Sequence, residues 1–218
     1  MKRKIVVFAS GGPGADDGGS GFQELEENTH TGVLNAEVAV VVSNHEHGGV
    51  RTKADKLGIP FVYMPAPYDA ETYQRVIDEY HPDLICLSGW LKLIPKECIG
   101  NIPIMNIHPG LLPKFGGHKM YGHHVHEATI AAYKRGEITY TAVTMHFVNA
   151  EYDKGKIFFE YRILIRDDDT AETLQKRVNK IEHAWQSYIT NLVLHGHIRM
   201  ENDTLIVPEG YQFLPQAA

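Results

Sequence analysis

The chain has 218 residues, of which 43% are hydrophobic and 22% charged, with a net charge of −6 at neutral pH. That is the composition of one sizeable globular domain, and its negative balance argues against nucleic acid as the main partner. Cys86 and Cys98 are the only cysteines, too few for a disulfide framework, so a reducing, cytoplasmic compartment is expected. No apolar run reaches the roughly 18 residues of a membrane-spanning helix, so no membrane association is expected.

Lys4 to Ser10 is an apolar stretch cut short at Gly11-Gly12, which suits a first strand better than a secretory signal. A glycine-rich loop follows, then a helix from about Phe22 to Asn28. Ala36 to Ser43 is nearly all Val and Ala, the pattern of a strand covered on both faces. A helix over Gly49 to Leu57 leads to a strand at Pro60 to Met64. The spacing of Tyr73, Val76, Ile77 and Tyr80 predicts a helix over Asp69 to Tyr80. Leu84 to Ser88 is the next strand and Ile94 to Ile99 a short helix. The apolar run Ile102 to Ile107 then gives a strand that ends in Asn106 and His108. This regular alternation implies an α/β fold: a Rossmann-like, mostly parallel, twisted sheet with helices on both faces.

Beyond it, His124 to Arg135 is helical and stops at Gly136. Tyr140 to Phe147 and Lys156 to Ile165 are longer strands that can pair as an antiparallel extension. In Asp169-Thr170-Ala171-Glu172 an acceptor precedes a carboxylate by three residues, as in a capping box opening a helix to about Leu194. That cap accounts for the acidic run Asp167 to Asp169 better than a metal does. Ile198 to Met200 and Thr204 to Val207, around Asn202-Asp203, form a terminal hairpin. No repeat or linker divides the chain, so a single domain over 1–218 is expected. About 1–105 would be its nucleotide- and phosphate-binding half, and about 106–218 its catalytic and folate-binding half with a tail.

Chemistry concentrates at Asn106-Ile107-His108-Pro109-Gly110. Asn106 and His108 alternate with Met105 and Ile107, so both polar side chains leave the strand on one face. An amide donor beside an imidazole at a strand end suits attack on a carbonyl, the amide holding an oxyanion and the imidazole moving a proton. The same residues also fit a strand that merely ends in a turn, with both side chains as caps. The loop Gly11 to Gly21 offers backbone N–H groups and a helix start to a phosphate, yet it matches neither dinucleotide nor Walker patterns. His118, His123, His124 and His126 invite a metal, but no cysteine or acid pair completes a ligand set, and polar loop positions account for them. Asp153 sits in a tight connection between strands, where a turn former is also at home.

Taken together, these stretches resemble the folate-dependent formyltransferases, over essentially the whole chain to Pro208-Glu209-Gly210-Tyr211. Asn106 to Phe115 resembles the family's Asn-x-His-Pro signature with its Leu-Leu-Pro-Lys continuation. Met145-His146-Phe147-Val148 with Asp153-x-Gly155 resembles the region that supplies the catalytic aspartate. The resemblance implies Asn106, His108 and Asp153 as catalytic residues, His108 acting as an imidazolium. It implies Gly19, Ser20 and Gly21 on the substrate phosphate and Glu182, of Glu182-His183, on the ribose. It implies Trp90, Leu91, Lys92, Leu93, Ile94, Val148 and Tyr152 in the folate pocket, with no metal. The implied reaction moves a formyl group from the co-substrate 10-formyltetrahydrofolate to glycinamide ribonucleotide in purine synthesis, in a monomer or homodimer.

The sequence departs from the family pattern in three places. Gly11 to Asp17 are extra, and Gly21 replaces Asn. Thr141 to Thr144 lacks a helper histidine. Gly116 to His126 is also reshaped, and His118 or His123 could substitute for a histidine lost there. Three other readings share these features: a deformylase of the same fold, in which water replaces the amine, a formyltransferase acting on another amine, or a catalytically silent nucleotide-binding module.

Overall fold

The computed structural model describes residues 2–216; positions 1, 217 and 218 of the expected domain lie outside the described residues. In chain order the elements are β1 (Arg3–Phe8), α1 (Ser20–Thr31), β2 (Ala36–Ser43), α2 (Gly49–Leu57), β3 (Phe61–Tyr63), α3 (Ala70–Tyr80) and β4 (Leu84–Ser88). Then come β5 (Ile104–His108), α4 (His123–Lys134), β6 (Tyr140–Phe147), β7 (Ile157–Leu164), α5 (Ala171–Leu194), β8 (Arg199–Glu201) and β9 (Thr204–Ile206). One sheet runs in the order β3-β2-β1-β4-β5-β6-β7, parallel through β5 and antiparallel at β6 and β7. The expected α/β sheet with an antiparallel extension is what the chain forms.

Strand β1 shows why both faces are covered. Ile5 and Val7 join one buried core, with α1, α2 and α5 supplying Phe22, Val50 and Val178. Val6 and Phe8 join the other, with Tyr73 and Val76 of α3. Alternate side chains of an extended chain leave opposite faces, so a continuous apolar run feeds two cores at once. Order changes direction between β1 and β4, and there the two strand ends are tied: Ser10 N donates to Gly89 O at 3.0 Å. Such a switch point, at the carboxyl edge of the sheet, is where open α/β folds bind ligands.

Three local expectations change. The helix expected over Ile94 to Ile99 is a single 3₁₀ turn at Lys96–Cys98. Helix α1 is longer than its apolar periodicity suggests, because Gly19 and Gly32, both left-handed, set its ends. The capping box on α5 lies one residue later: Thr170 accepts from Thr173 N, and Thr170 N donates back to Thr173 Oγ1. Asp169 instead accepts from Arg166 N and pairs with Arg177. The terminal hairpin forms with Asn202 and Asp203 at φ 47° and 61°, the left-handed pair that a two-residue turn requires. Among the described residues no helix is long and apolar enough to cross a membrane.

Candidate active site

A cavity of about 1010 Å³ opens at the carboxyl edge, lined from the β1–α1 loop, the segment after β4, the end of β5, the loop before α4, and α5. At the β5 end, Asn106 Nδ2 lies 3.1 Å from His146 Nε2 and 3.2 Å from Asp153 Oδ1. His146 Nδ1 is 3.0 Å from Phe147 O, and a carbonyl can only accept, so Nδ1 carries the hydrogen. Nε2 then accepts, and both Asn106 amide hydrogens are engaged inside the site.

His108 is 4% exposed, and its Nε2 donates to Phe115 O at 2.7 Å. Its Nδ1 faces Asp153 Oδ2 at 3.8 Å. Burial pushes the ring below its ordinary pKa of 6.5, against the opposing pull of Asp153 and of the Phe115 carbonyl. Burial thus favours the neutral ring before reaction, and the expected imidazolium would form only when a proton arrives beside Asp153. For Asp153, burial works upward, but the neighbouring imidazoles when protonated, together with the Gly117 N–H, pull the carboxyl below 3.8. A lone pair and a carboxylate thus face each other, and the gap between them is stabilised only when a proton enters it.

The turn that seats Asp153 is tightly built. Asp153 itself has φ 54°, a left-handed conformation that Asp tolerates better than most residues. A Cβ at Gly155 would fall 1.5 Å from Phe147 O, so only glycine lets this turn close on β6. Asp153 is therefore both the turn former and the carboxylate of the site. Gly117 N donates to Asp153 Oδ2 at 2.9 Å, and a Cβ at Gly116 would crowd Asp153 Cβ at 2.8 Å.

At the other end, Gly19, Ser20 and Gly21 all line the cavity. Gly19 caps α1 without a side-chain hydrogen bond, which leaves first-turn N–H groups available to an anion. The extra residues Gly11 to Asp17 fold onto themselves: Asp17 N donates to Gly14 O, and Gly14 N donates to Asp17 Oδ2, both at 3.0 Å. The insertion leaves the start of α1 on the cavity wall. Glu182 lines the same end from α5, accepting from Asn179 Nδ2 at 3.4 Å. Burial pushes its carboxyl up to about 7, with that hydrogen bond pulling the other way.

Of the expected folate residues, Trp90, Leu91, Lys92 and Tyr152 line the cavity, and Leu93, Ile94 and Val148 do not. Ile94 is 3% exposed inside the α3-side core, and Val148 packs against that core. Leu93 is 39% exposed on the surface. The Trp90 ring is itself core: its Nε1 donates to Tyr73 Oη at 2.9 Å, and Phe8 and Tyr68 pack edge-on against it. Residues 90 and 94 turn inward to close the apolar layer, so Trp90 meets the cavity at its rim.

His146 is a site member to which the sequence reading gave no role, and His126 one that it considered only as a metal ligand. Strands β5 and β6 pair antiparallel with Asn106 opposite His146, and that register brings the imidazole onto the amide. His126, in the first turn of α4, is 1% exposed, and its Nδ1 has no hydrogen-bond partner. Burial, then the charges of His123 and His108, push it down to about 4. His118 packs obliquely against Tyr152, with ring centroids 6.0 Å apart, and His123 bonds Gln175 at 2.9 Å; the imidazole beside Asn106 is that of His146. Among the described residues no group of three or more His, Cys, Asp or Glu converges as a metal site would.

The profile of the formyl transferase family matches residues 3–191. The chain is 35% identical over 211 residues to a phosphoribosylglycinamide formyltransferase named as chloroplastic from Arabidopsis thaliana, covering 93% of this chain and 69% of that one. It is 30% identical over 200 residues to the phosphoribosylglycinamide formyltransferase of Bacillus subtilis, covering 88% and 95%. The crystal structure of phosphoribosylglycinamide formyltransferase from Anaplasma phagocytophilum superposes with a TM-score of 0.80 at 27% identity, over 98% of each chain. A formyltetrahydrofolate deformylase from Pseudomonas syringae shares the fold, with a TM-score of 0.76 at 22% identity over 95% of this chain and 66% of its own.

Proposed function

The chain belongs to the formyl transferase family, and we propose that it passes the formyl group of 10-formyltetrahydrofolate to the amine of glycinamide ribonucleotide in purine synthesis. The observation that carries this reading is one cavity joining two kinds of site. An amide, two imidazoles and a carboxylate meet at the end of β5, and a glycine-lined anion cradle lies at the start of α1. Its volume of about 1010 Å³ matches the upper range of small-molecule sites, large enough for a long co-substrate. The curated relatives above carry the transferase name, which favours this reading over the deformylase. A cytoplasmic address rests on the two unpaired cysteines alone.

In the proposed mechanism the amine attacks the formyl carbon, and the carbonyl oxygen takes up negative charge. Asn106 turns one amide hydrogen from Asp153 Oδ1, its longer contact, to that oxygen. The amine sheds a proton, which enters the gap between His108 Nδ1 and Asp153, directly or through water. The imidazolium now exists beside a carboxylate, and its proton passes to the folate nitrogen as the carbon–nitrogen bond breaks. Gly19, Ser20 and Gly21 hold the phosphate, and Glu182 accepts from the ribose hydroxyls. Leu91, Lys92 and Tyr152 border the folate, Trp90 sitting behind them.

The test is an assay of the purified protein with 10-formyltetrahydrofolate, with and without glycinamide ribonucleotide. Formyl transfer that needs the ribonucleotide is expected. Formate release at the same rate without it would replace this reading by the hydrolase, and binding without turnover would replace it by the silent module.

A further inference from the structure

Gly21 is the second residue of α1, and its backbone is not left-handed. The glycine is therefore required by space and not by φ. A Cβ there would fall 2.2 Å from Ser88 Oγ and 2.9 Å from Gln186 Oε1. Two side chains from distant parts of the chain fill that volume: Gln186 from α5 and Ser88 from the last position of β4. Gln186 Nε2 donates to Ser88 Oγ at 3.0 Å. Both residues line the cavity, although Gln186 is only 2% exposed and Ser88 9%. Gln186 Oε1 accepts from no described residue, and the Ser88 hydroxyl donates to none. The open acceptor and the free hydroxyl therefore face the cavity, where a ligand can meet both.

The position of this pair says which part of a ligand it meets. Gly19 and Ser20 of the cradle immediately precede Gly21, and Glu182 lies one helical turn before Gln186 on the same face of α5. We propose that Gln186, held in place by Ser88, determines specificity for the acceptor by hydrogen bonding its ribose 5-phosphate portion where the phosphate ester joins the sugar. A carboxamide can donate to the ester or ring oxygen and accept from a hydroxyl, which a carboxylate cannot do. Gly21 leaves the room for it, since any side chain there would displace the amide. This inference rests on glycinamide ribonucleotide being the acceptor.

The test compares wild type with Gln186→Met, which keeps length without hydrogen bonding, and with Ser88→Ala and Gly21→Ala. Steady-state kinetics are measured for both substrates, and calorimetry follows ribose 5-phosphate as a binding probe. One neutral hydrogen bond corresponds to about three- to tenfold in affinity. In Gln186→Met, KM for glycinamide ribonucleotide should rise by that factor, and ribose 5-phosphate should bind more weakly in parallel. kcat and the KM for 10-formyltetrahydrofolate should stay within about twofold. Gly21→Ala should reproduce this pattern, and Ser88→Ala should give a smaller change of the same kind. Should Gln186→Met not fold, Ser88→Ala carries the comparison. Unchanged ribonucleotide KM and probe binding would overturn the proposal and leave the pair as a strut between α5 and β4. An equal rise in both KM values would overturn it as general distortion. A wild type that binds ribose 5-phosphate yet formylates no ribonucleotide would sink the acceptor assignment instead, and the binding arm alone would then judge Gln186.

Discussion

Where β5 ends, Asn106, His108, His146 and Asp153 hold one another through side-chain contacts, each of them half-buried or buried. Where β1 ends, Gly18 and Gly19 take left-handed backbone, and recognition falls to main-chain N–H groups at the start of a helix. On the proposed function the first end answers charge that develops during the reaction, and the second answers charge already present on the ligand. Substitutions at the first end should therefore act mainly on kcat and those at the second mainly on KM.

The largest effect that would sharpen this contrast is expected from Asn106→Ala. Loss of an oxyanion donor slows such chemistry by about 10²–10³-fold, so kcat should fall by that factor with both KM values little changed. A variant that turns over normally with a raised KM would erase the distinction between the ends. Next comes Asp153→Asn, expected to lower kcat by roughly 10²-fold. The rate needs neutral His108, so activity should be lost as pH falls through the His108 pKa, which burial sets below 6.5. The Asp153 charge raises that pKa, so its removal should move the acid limb to lower pH, as a kcat profile between pH 4 and 8 would show.

His126 tests the wall next to the catalytic end through stability. Its folded pKa of about 4 lies below the ordinary 6.5, so the fold disfavours the charged ring. The stability it permits is complete above 6.5 and is lost as pH falls toward 4, to the extent of about 2–3 kcal/mol. Chemical denaturation of His126→Leu at pH 7 and 4.5 should show a pH loss smaller by that amount. The smallest effect is expected at Glu182. With its carboxyl near 7, wild type should bind glycinamide ribonucleotide better as pH rises through that value. Glu182→Gln should lose this part of the pH dependence and raise the ribonucleotide KM about three- to tenfold, with kcat retained.

The same contrast governs how much could be read from the residues. The strand and helix order was legible because its apolar periodicity is local, and Asn106 and His108 declared themselves by alternation on one strand. Asp153 was reachable only through a resemblance, since alone it is a plausible turn residue, which it also is. His146 stood in plain view within a quoted motif. Its role depends on the β5–β6 register, which no local pattern carries. The Trp90 to Ile94 segment looked uniform, yet packing turned residues 90 and 94 into the core. At the start of α5, Asp169 and Thr170 are both good caps, so chemistry alone could not place the boundary to one residue.

Helix α5 carries Gln175, Asn179, Glu182 and Gln186 along its cavity side. At a rise of about 1.5 Å per residue, the outermost two stand roughly 16 Å apart on a rigid rod. On the proposed function the helix is a graduated ruler against which the bound molecule is measured. A single inserted or deleted residue midway would rotate the graduations beyond it by about 100° and point them away. The loop after β1 tolerates added length because it folds upon itself, whereas this ruler can change its markings but not its count.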